Sequence, residues 1–484
     1  MNKLAARSGL LAGIALLAGL PAMPAGADDL RDALIAAYNG NPALLAARAQ
    51  QRAIDENVPI KKADGLPSIS SQAQYTEYLR KSANSFSAPD RSFTGNATLA
   101  VPIYSGGAVR EAVKAAKTRV EAGQADLRAT ESSLFSHVVA AYMDVILGQA
   151  VVGLNRNNVD VLQVNLRATS DRFEIGDLTR TDVAQSQARL ALAKADTRSA
   201  EANLATAREN YIALVGKPPV DLQPPPPLPN LPASAQDAVQ IALENNPDIL
   251  AARERSRAAK HDINVAGATR QPRVELYTSG AYQDYFDTLG GSSSQAFAQH
   301  ETTAQAGVRA SIPIFQGGRP AALRRQAQAG ASAALEQEIA IERDVIAQTR
   351  AAFSSLQAAN ELIASTQSAV DAAELSLEGV RAENSVGNRT ILDILDAEQE
   401  LLQARVRLVT VQRNAYVAGF SLLAAMGKAE AKDLNLDGGA LYDPDTNYRR
   451  VRGKFFDFEN DPAPVAQSTR TVDTPVQDGS IPGQ

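Results

Sequence analysis

The sequence has no cysteine and no tryptophan, and only three histidines: His137, His261 and His300. Without cysteine there is no disulfide framework, no thiolate metal site and no lipid-modified N-terminal cysteine. Three histidines so far apart in sequence do not suggest a metal centre. Aromatic residues make up 5% of the chain, few for a large globular core, which normally relies on such bulky anchors. A basic excess is also missing. The 48 Lys and Arg stand against 54 Asp and Glu, a net charge of −6, so nucleic acid is not an expected partner. There is no G-x-S-x-G elbow, P-loop or cluster of metal ligands, so neither catalysis nor a cofactor is expected. No run of 18 apolar residues follows Ala27, and no transmembrane helix is expected there.

Alanine, glutamine, leucine and valine fill much of the 484 residues, as in long helices packed side by side. The N-terminus reads as a secretory signal. Lys3 and Arg7 precede an apolar run from Leu10 to Leu20, and Ala25-Gly26-Ala27 supplies the small-x-small cleavage pattern. Residues 1–27 are expected to be removed after Ala27, leaving an exported chain that begins at Asp28.

The chain is written twice. "VPIYSGG" (101–107) returns as "IPIFQGG" (312–318), and "NPALLAARAQQRA" (41–53) as "NPDILAARERSRA" (246–258). "RFEIGDLTRTDV" around Gly176 pairs with "RAENSVGNRTILDI" around Gly387, and "ALVGK" at Gly216 with "AAMGK" at Gly427. The offset is 205 before Pro67 and 211 after Pro102, so a loop lies between those prolines. The expected domains are repeat 1 over 28–216, a Pro-rich linker over 217–236 and repeat 2 over 237–428. The segment 429–484 completes the chain, and beyond about Asp457 it is polar, aperiodic and expected to be disordered.

Each repeat carries one expected β-hairpin, at about 67–104 and about 272–315. In the first, Phe93, Gly95, Ala97, Leu99, Val101 and Ile103 alternate with positions that include Thr94, Asn96 and Thr98. In the second, Ala304, Ala306, Val308, Ala310, Ile312 and Ile314 alternate with Thr303, Gln305, Arg309 and Ser311. Period two means a sheet with two different faces. After each hairpin, Gly106-Gly107 and Gly317-Gly318 are placed to turn the chain from strand to helix without a Cβ penalty.

The span from Gly107 to Gly176 is 70 residues, about 105 Å as one helix. The spans Asp177 to Val215 and Pro42 to Asp64 together reach about 94 Å. One long helix paired with two short ones stacked end to end is therefore expected in each repeat. Helical hairpin turns at Gly176 and Gly387 would then lie at the end remote from the sheet, with a belt of irregular structure at mid-height. Four strands cannot close a barrel, whereas three copies would give twelve, an even number in the outer-membrane range.

At this point the sequence resembles the TolC family of outer-membrane efflux channels, chiefly through "NNPDILAAR", "SIPIFQGG" and "SVGNRTILDILDAEQELLQA" (385–404). The resemblance runs over nearly all of the mature chain to about Gly427. It implies a mostly α fold of two tandem repeats, each a β-hairpin plus a long helical hairpin. It implies a homotrimer with a twelve-stranded β-barrel in outer-membrane lipid, continued by a periplasmic α-helical barrel. It also implies docking to a periplasmic adaptor and an inner-membrane pump or ABC exporter, as the passive exit duct of an efflux or type I secretion system. "YDPDTNYRRVRGKFFDF" near the C-terminus is similar to the type I secretion variants.

The resemblance also implies a gate. Asp393 and Asp396 match the two aspartates lining the periplasmic entrance. Arg389 and Asp182 match residues that hold it closed, with polar groups near Thr181 among their contacts. Asn384 stands where the family has a gate-locking tyrosine. Read from the residues alone, Thr390-x-x-Asp393 is a capping box in which Asp replaces the usual Glu or Gln, and Thr179-x-x-Asp182 repeats it. Asp396 corresponds to Gln185 in the first repeat, so capping does not account for it. Carboxylates crowded in a threefold ring would have raised pKa values. A periplasmic structural coiled coil, or an adaptor, would explain the helices but not two alternating hairpins at matched positions. Acidic pairs on solvated helices give an enzyme little support.

Overall fold

The computed structural model describes residues 29–81, 88–436 and 441–481. The signal segment with its cleavage site, and the tip of the first β-hairpin, lie outside the described residues. The first repeat runs α1 (Leu30–Gly40), α2 (Pro42–Asp55), α3 (Asn57–Ala63), β1 (Ser68–Glu77), β2 (Arg91–Tyr104), α4 (Ala108–Glu174) and α5 (Arg180–Val215). The second runs α6 (Ala235–Asn245), α7 (Pro247–Gly267), β3 (Arg273–Asp284), β4 (His300–Ser311), α8 (Arg319–Ser385) and α9 (Ile391–Ala425). A short α10 (Pro444–Val451) follows.

Both long helices, α4 and α8, have 67 residues, about 100 Å each. Each begins where a glycine pair turns the chain off a strand. Gly106 and Gly107 have φ of +65° and +83°, and Gly317 and Gly318 of +57° and +80°. A side chain at Gly106 would also run into Cβ of Gln271. These are left-handed positions next to a close approach, so glycine meets both demands.

Along each long helix, two shorter helices meet end to end. Asn41 makes the joint in the first repeat. Its Oδ1 accepts from the backbone N–H of Ala43 at 2.9 Å, capping α2, and its Nδ2 donates to the carbonyl of Leu214 at the end of α5, also at 2.9 Å. Asn246 repeats this in the second, capping α7 through Asp248 N at 2.9 Å and donating to Ala425 O of α9 at 2.9 Å. Pro42 and Pro247 occupy the first helical position, where a missing N–H costs nothing. The helix expected over 42–64 is broken at Glu56. Pro59 has no N–H for the carbonyl of Asp55, and its ring crowds that carbonyl.

Among the described residues the sheet has four strands in the order β1-β2-β3-β4, all antiparallel. Its register puts Ile69, Leu99, Thr278 and Ala306 in one row, and Val101, Leu276 and Val308 in another. The adjacent row is Ser70, Thr98, Ser279 and Gln305. Alternation inferred for β2 and β4 thus extends over all four strands, giving one largely apolar face and one polar face. The polar face carries an Arg309–Glu275 pair at 2.9 Å and a Gln305–Ser279 bond at 3.0 Å.

The largest core is at mid-height. Leu30, Ala33, Leu34 and Ala37 of α1 pack against Phe135, Val138, Val139 and Tyr142 of α4, with Phe420, Leu422 and Leu423 of α9. The belt expected to be irregular therefore holds two helices among the described residues that pack into this core, α1 and α6. In α1 the apolar residues recur at three- and four-residue steps, and Asp29 caps it through Asp32 N at 2.7 Å. By length and composition, α4 could cross a membrane, despite Asp144 within its apolar stretch; the buried residues of that stretch belong to this core.

The C-terminal tail also departs from expectation. Arg208, itself buried, donates to the carbonyl of Asp478 at 2.7 Å. The Gln477 N–H reaches Glu209 at 3.0 Å, and Ile481 packs on the central core. A buried guanidinium needs acceptors, and an aperiodic polar tail can supply them without any pattern visible in its sequence.

Two predictions follow the helix contacts. Asn246→Ala should remove the α7 cap and lower stability by about 0.5–2 kcal/mol, read from thermal unfolding in detergent, and Asn41→Ala should do the same. Glu111 of α4, with its side chain 10% exposed, binds Lys114 Nζ at 2.9 Å and lies 2.9 Å from His261 Nδ1 and 3.3 Å from Asn264 Nδ2 of α7. The Lys114 bond first, and then His261, hold its carboxyl down at about 2. A depressed carboxyl stabilises fully above its unfolded value and loses that stabilisation as pH falls through the folded value. Glu111→Gln should therefore be less stable at neutral pH, with the gap closing between pH 4.5 and about 2 in acid titrations of unfolding.

Candidate functional site

The two helical hairpin turns lie at the ends of α4 and α8 remote from the sheet. Gly176 and Gly387 take φ of +84° and +81° there. Each turn is followed by the same capping box. Thr179 N and Oγ1 both donate to Asp182 Oδ2, at 2.8 and 2.7 Å, and Thr179 Oγ1 accepts from Asp182 N at 3.3 Å. Thr390 and Asp393 repeat the three distances. Asp in place of Glu at the third position closes this box because the Thr hydroxyl joins the backbone N–H on one carboxylate oxygen.

This arrangement sets the charge state. The threonine hydroxyl, and then the backbone N–H, hold Asp182 and Asp393 below the usual carboxylate range. The upward shift expected for a crowded acidic ring is not the direction within one chain, where Asp393 goes down. Capping donors bond the charged form and favour it.

Asp396 is placed differently. It forms an ion pair with Arg189 of α5, so it links the two helical hairpins of the chain. Arg189 was not anticipated from the sequence. A clue was available: residue 396 is acidic where the first repeat has Gln185, and a new charge needs a partner. Asp393 and Asp396 both lie in the first turns of α9.

Arg389 lies outside α9, and its Nε donates to Glu383 Oε2 at 2.7 Å. That bond raises the guanidinium pKa above its ordinary value. Within one chain, Arg389 therefore binds its own hairpin, and no contact joins it to Asp182 or Thr181 among the described hydrogen bonds and ion pairs. Asn384 donates through Nδ2 to the carbonyl of Arg389 at 2.6 Å. It fixes the turn from within. At the tips, Ile175 and Val386 are both highly exposed. They are equivalent in the repeats and precede the turn glycines, a second feature that went unread in the sequence.

A family model described as outer membrane efflux protein matches residues 34–217 and 238–428. The outer membrane efflux protein BepC of Brucella suis biovar 1 (strain 1330) is 34% identical over 452 residues, 92% of this chain and 96% of that one. The outer membrane protein TolC of Vibrio cholerae serotype O1 is 25% identical, over 84% of this chain and 92% of its own length. Among solved structures, the outer membrane protein VceC of Vibrio cholerae superposes with a TM-score of 0.70 at 24% identity, over 82% of this chain and 96% of that chain. With both repeats matched, and the hairpins and paired long helices in place, the chain belongs to the outer membrane efflux protein family of TolC-like channels.

Proposed function

We propose that three copies of this chain form the exit duct of a tripartite efflux or type I secretion system. In this reading a twelve-stranded barrel sits in the outer membrane and a helical barrel runs through the periplasm. An adaptor and an inner-membrane pump or ABC exporter load the duct at its far end. The observation that carries this is the sheet: four antiparallel strands, apolar on one face and polar on the other, with β1 and β4 at its edges. An open edge in lipid leaves backbone groups without partners, at several kcal/mol each. Four is an even number of alternating strands, so β4 of one copy meets β1 of the next antiparallel. Helices of about 100 Å then project well beyond a hydrocarbon core of about 30 Å. In this reading the duct's inner-membrane partner selects the cargo.

Ala97→Arg or Val308→Arg, on the apolar face, should impair assembly. At mid-bilayer each arginine costs about 2–4 kcal/mol. Outer-membrane fractionation with unboiled gel electrophoresis should give a trimer for the native chain, and a weakened or missing one for these variants. Thr98→Arg and Gln305→Arg, on the polar face, should be milder. A native chain that fractionates as a periplasmic monomer would sink the channel reading.

The entrance follows the same reading. In a trimer, Asp393 and Asp396 would contribute six carboxylates around one opening, favouring cations. Asp393→Ala with Asp396→Ala should weaken cation selectivity and block by multivalent cations, and the unpaired Arg189 adds to that loss. Arg389→Ser should instead loosen the hairpin turns, raising conductance with selectivity kept. Single-channel recordings in planar bilayers separate the two. Full cation selectivity in the double variant would leave Asp393 as a helix cap alone.

A further inference from the structure

The segment after α10 makes a closed loop that the channel reading does not use. Helix α10 climbs beside α2 and α3 toward the sheet. Asn447 Nδ2 donates to Asp55 at 2.7 Å, Tyr448 packs on Val58, and Lys62 Nζ donates to the carbonyl of Arg452 at 2.5 Å. The chain then loops out and returns. Arg450 closes the base on both oxygens of Asp461, at 2.6 and 2.8 Å, and Lys454 meets Glu459 at 3.1 Å within it. The loop displays Phe455, Phe456 and Phe458, which are 67%, 65% and 95% exposed. The first two rings lie 4.2 Å apart.

The height of this loop can be read from its neighbours. Lys61 and Asp64, flanking Lys62, line one cleft with Tyr104, Ala108 and Val109. That is the junction between β2 and α4, where the sheet ends. Leu66, Ile103 and Tyr104 are exposed at the same junction. Water is a poor solvent for three phenyl rings within four residues, and an exposed apolar cluster of this kind marks an interaction surface. Ion pairs hold the loop's base, and Asp457 is the one charged residue between the phenylalanines.

We propose that the 450–461 loop is a second membrane contact, whose three phenylalanines enter the periplasm-facing interface of the outer-membrane bilayer beside the barrel. The proposal rests on the reading of the sheet as membrane-inserted. Continuity with the sheet's apolar face favours lipid as the occupant, because Lys62, which holds the loop's base at Arg452, sits beside Lys61 and Asp64 of the cleft at the sheet's end. Aromatic rings concentrate at the two interfaces of outer-membrane barrels. Arg452 and Lys62 would lie within reach of headgroup phosphates, while the Arg450–Asp461 closure stays in water.

The absence of native cysteine makes a site-specific test direct. Phe456→Cys and, separately, Phe458→Cys and Val308→Cys are labelled with an environment-sensitive fluorophore in the full-length channel. Each is reconstituted in vesicles of phosphatidylethanolamine and phosphatidylglycerol. Both loop labels should lose most of their emission to lipids carrying a nitroxide just below the headgroup, and little to aqueous iodide. The Val308→Cys label should be quenched by nitroxides deeper in the acyl chain. If iodide quenches both loop labels while Val308→Cys still reports lipid, the loop assignment falls and the barrel reading stands. Protection of the loop from both quenchers would mean that protein covers it, which also overturns the lipid contact. If Val308→Cys reports water, the membrane reading of the sheet falls and takes the loop with it.

Discussion

The fold depends on a pair of asparagines. Asn41 and Asn246 each cap one helix with the side-chain oxygen and hold the end of another with the side-chain nitrogen. Two short helices are thereby locked end to end and can run beside one long helix as a single rod. Without that joint, each repeat would have a gap at mid-height exposing unpaired helix ends. The joint also sets where everything else goes. Gly427 is pressed against the backbone of Asn245, so the chain leaves α9 at this level. Chain leaving α9, together with α1, builds the central core there.

From that level the two ends of the molecule follow different physics. Toward the sheet, period-two alternation and antiparallel register put one set of side chains on each face. Pairing is complete inside the sheet and incomplete at its edges, β1 and β4. Toward the turns, the helices are paired by smaller apolar clusters, Val370, Leu377, Ile394 and Leu401 in one and Leu162, Leu190 and Leu395 in another, with ion pairs at the surface. Exposed pairs such as Arg405–Glu374 contribute about 0–1 kcal/mol each. The apolar clusters at this end are smaller than the mid-height core.

The acidic residues near the turns show how one side chain can serve two purposes. Asp393 caps α9 and is partly exposed, and the cap bonds favour its ionised form. The structural role therefore maintains the charge that an entrance ring requires. Asp396 is tied to Arg189, so its charge is partly offset within the chain. If the two line an opening, they do so unequally.

The sequence by itself determined the duplication, the hairpins, the long helices, the glycine turns and both capping boxes. All of these are local: they depend on period, on a positive φ, or on a residue three positions away. The break at Glu56 was local too, since Pro59 alone causes it, and it could have been read. Tertiary structure decided the partners. Arg189 for Asp396 and Arg208 for the tail carbonyl are contacts whose members follow from how helices and tail pack, not from spacing, whereas Glu383 for Arg389 lies six positions away in the same turn. The helical belt was likewise obscured: α1 and α6 are 11 residues each, too short to hold helical structure alone in water. They are helical because a core forms beneath them, and only the packed chain supplies that core.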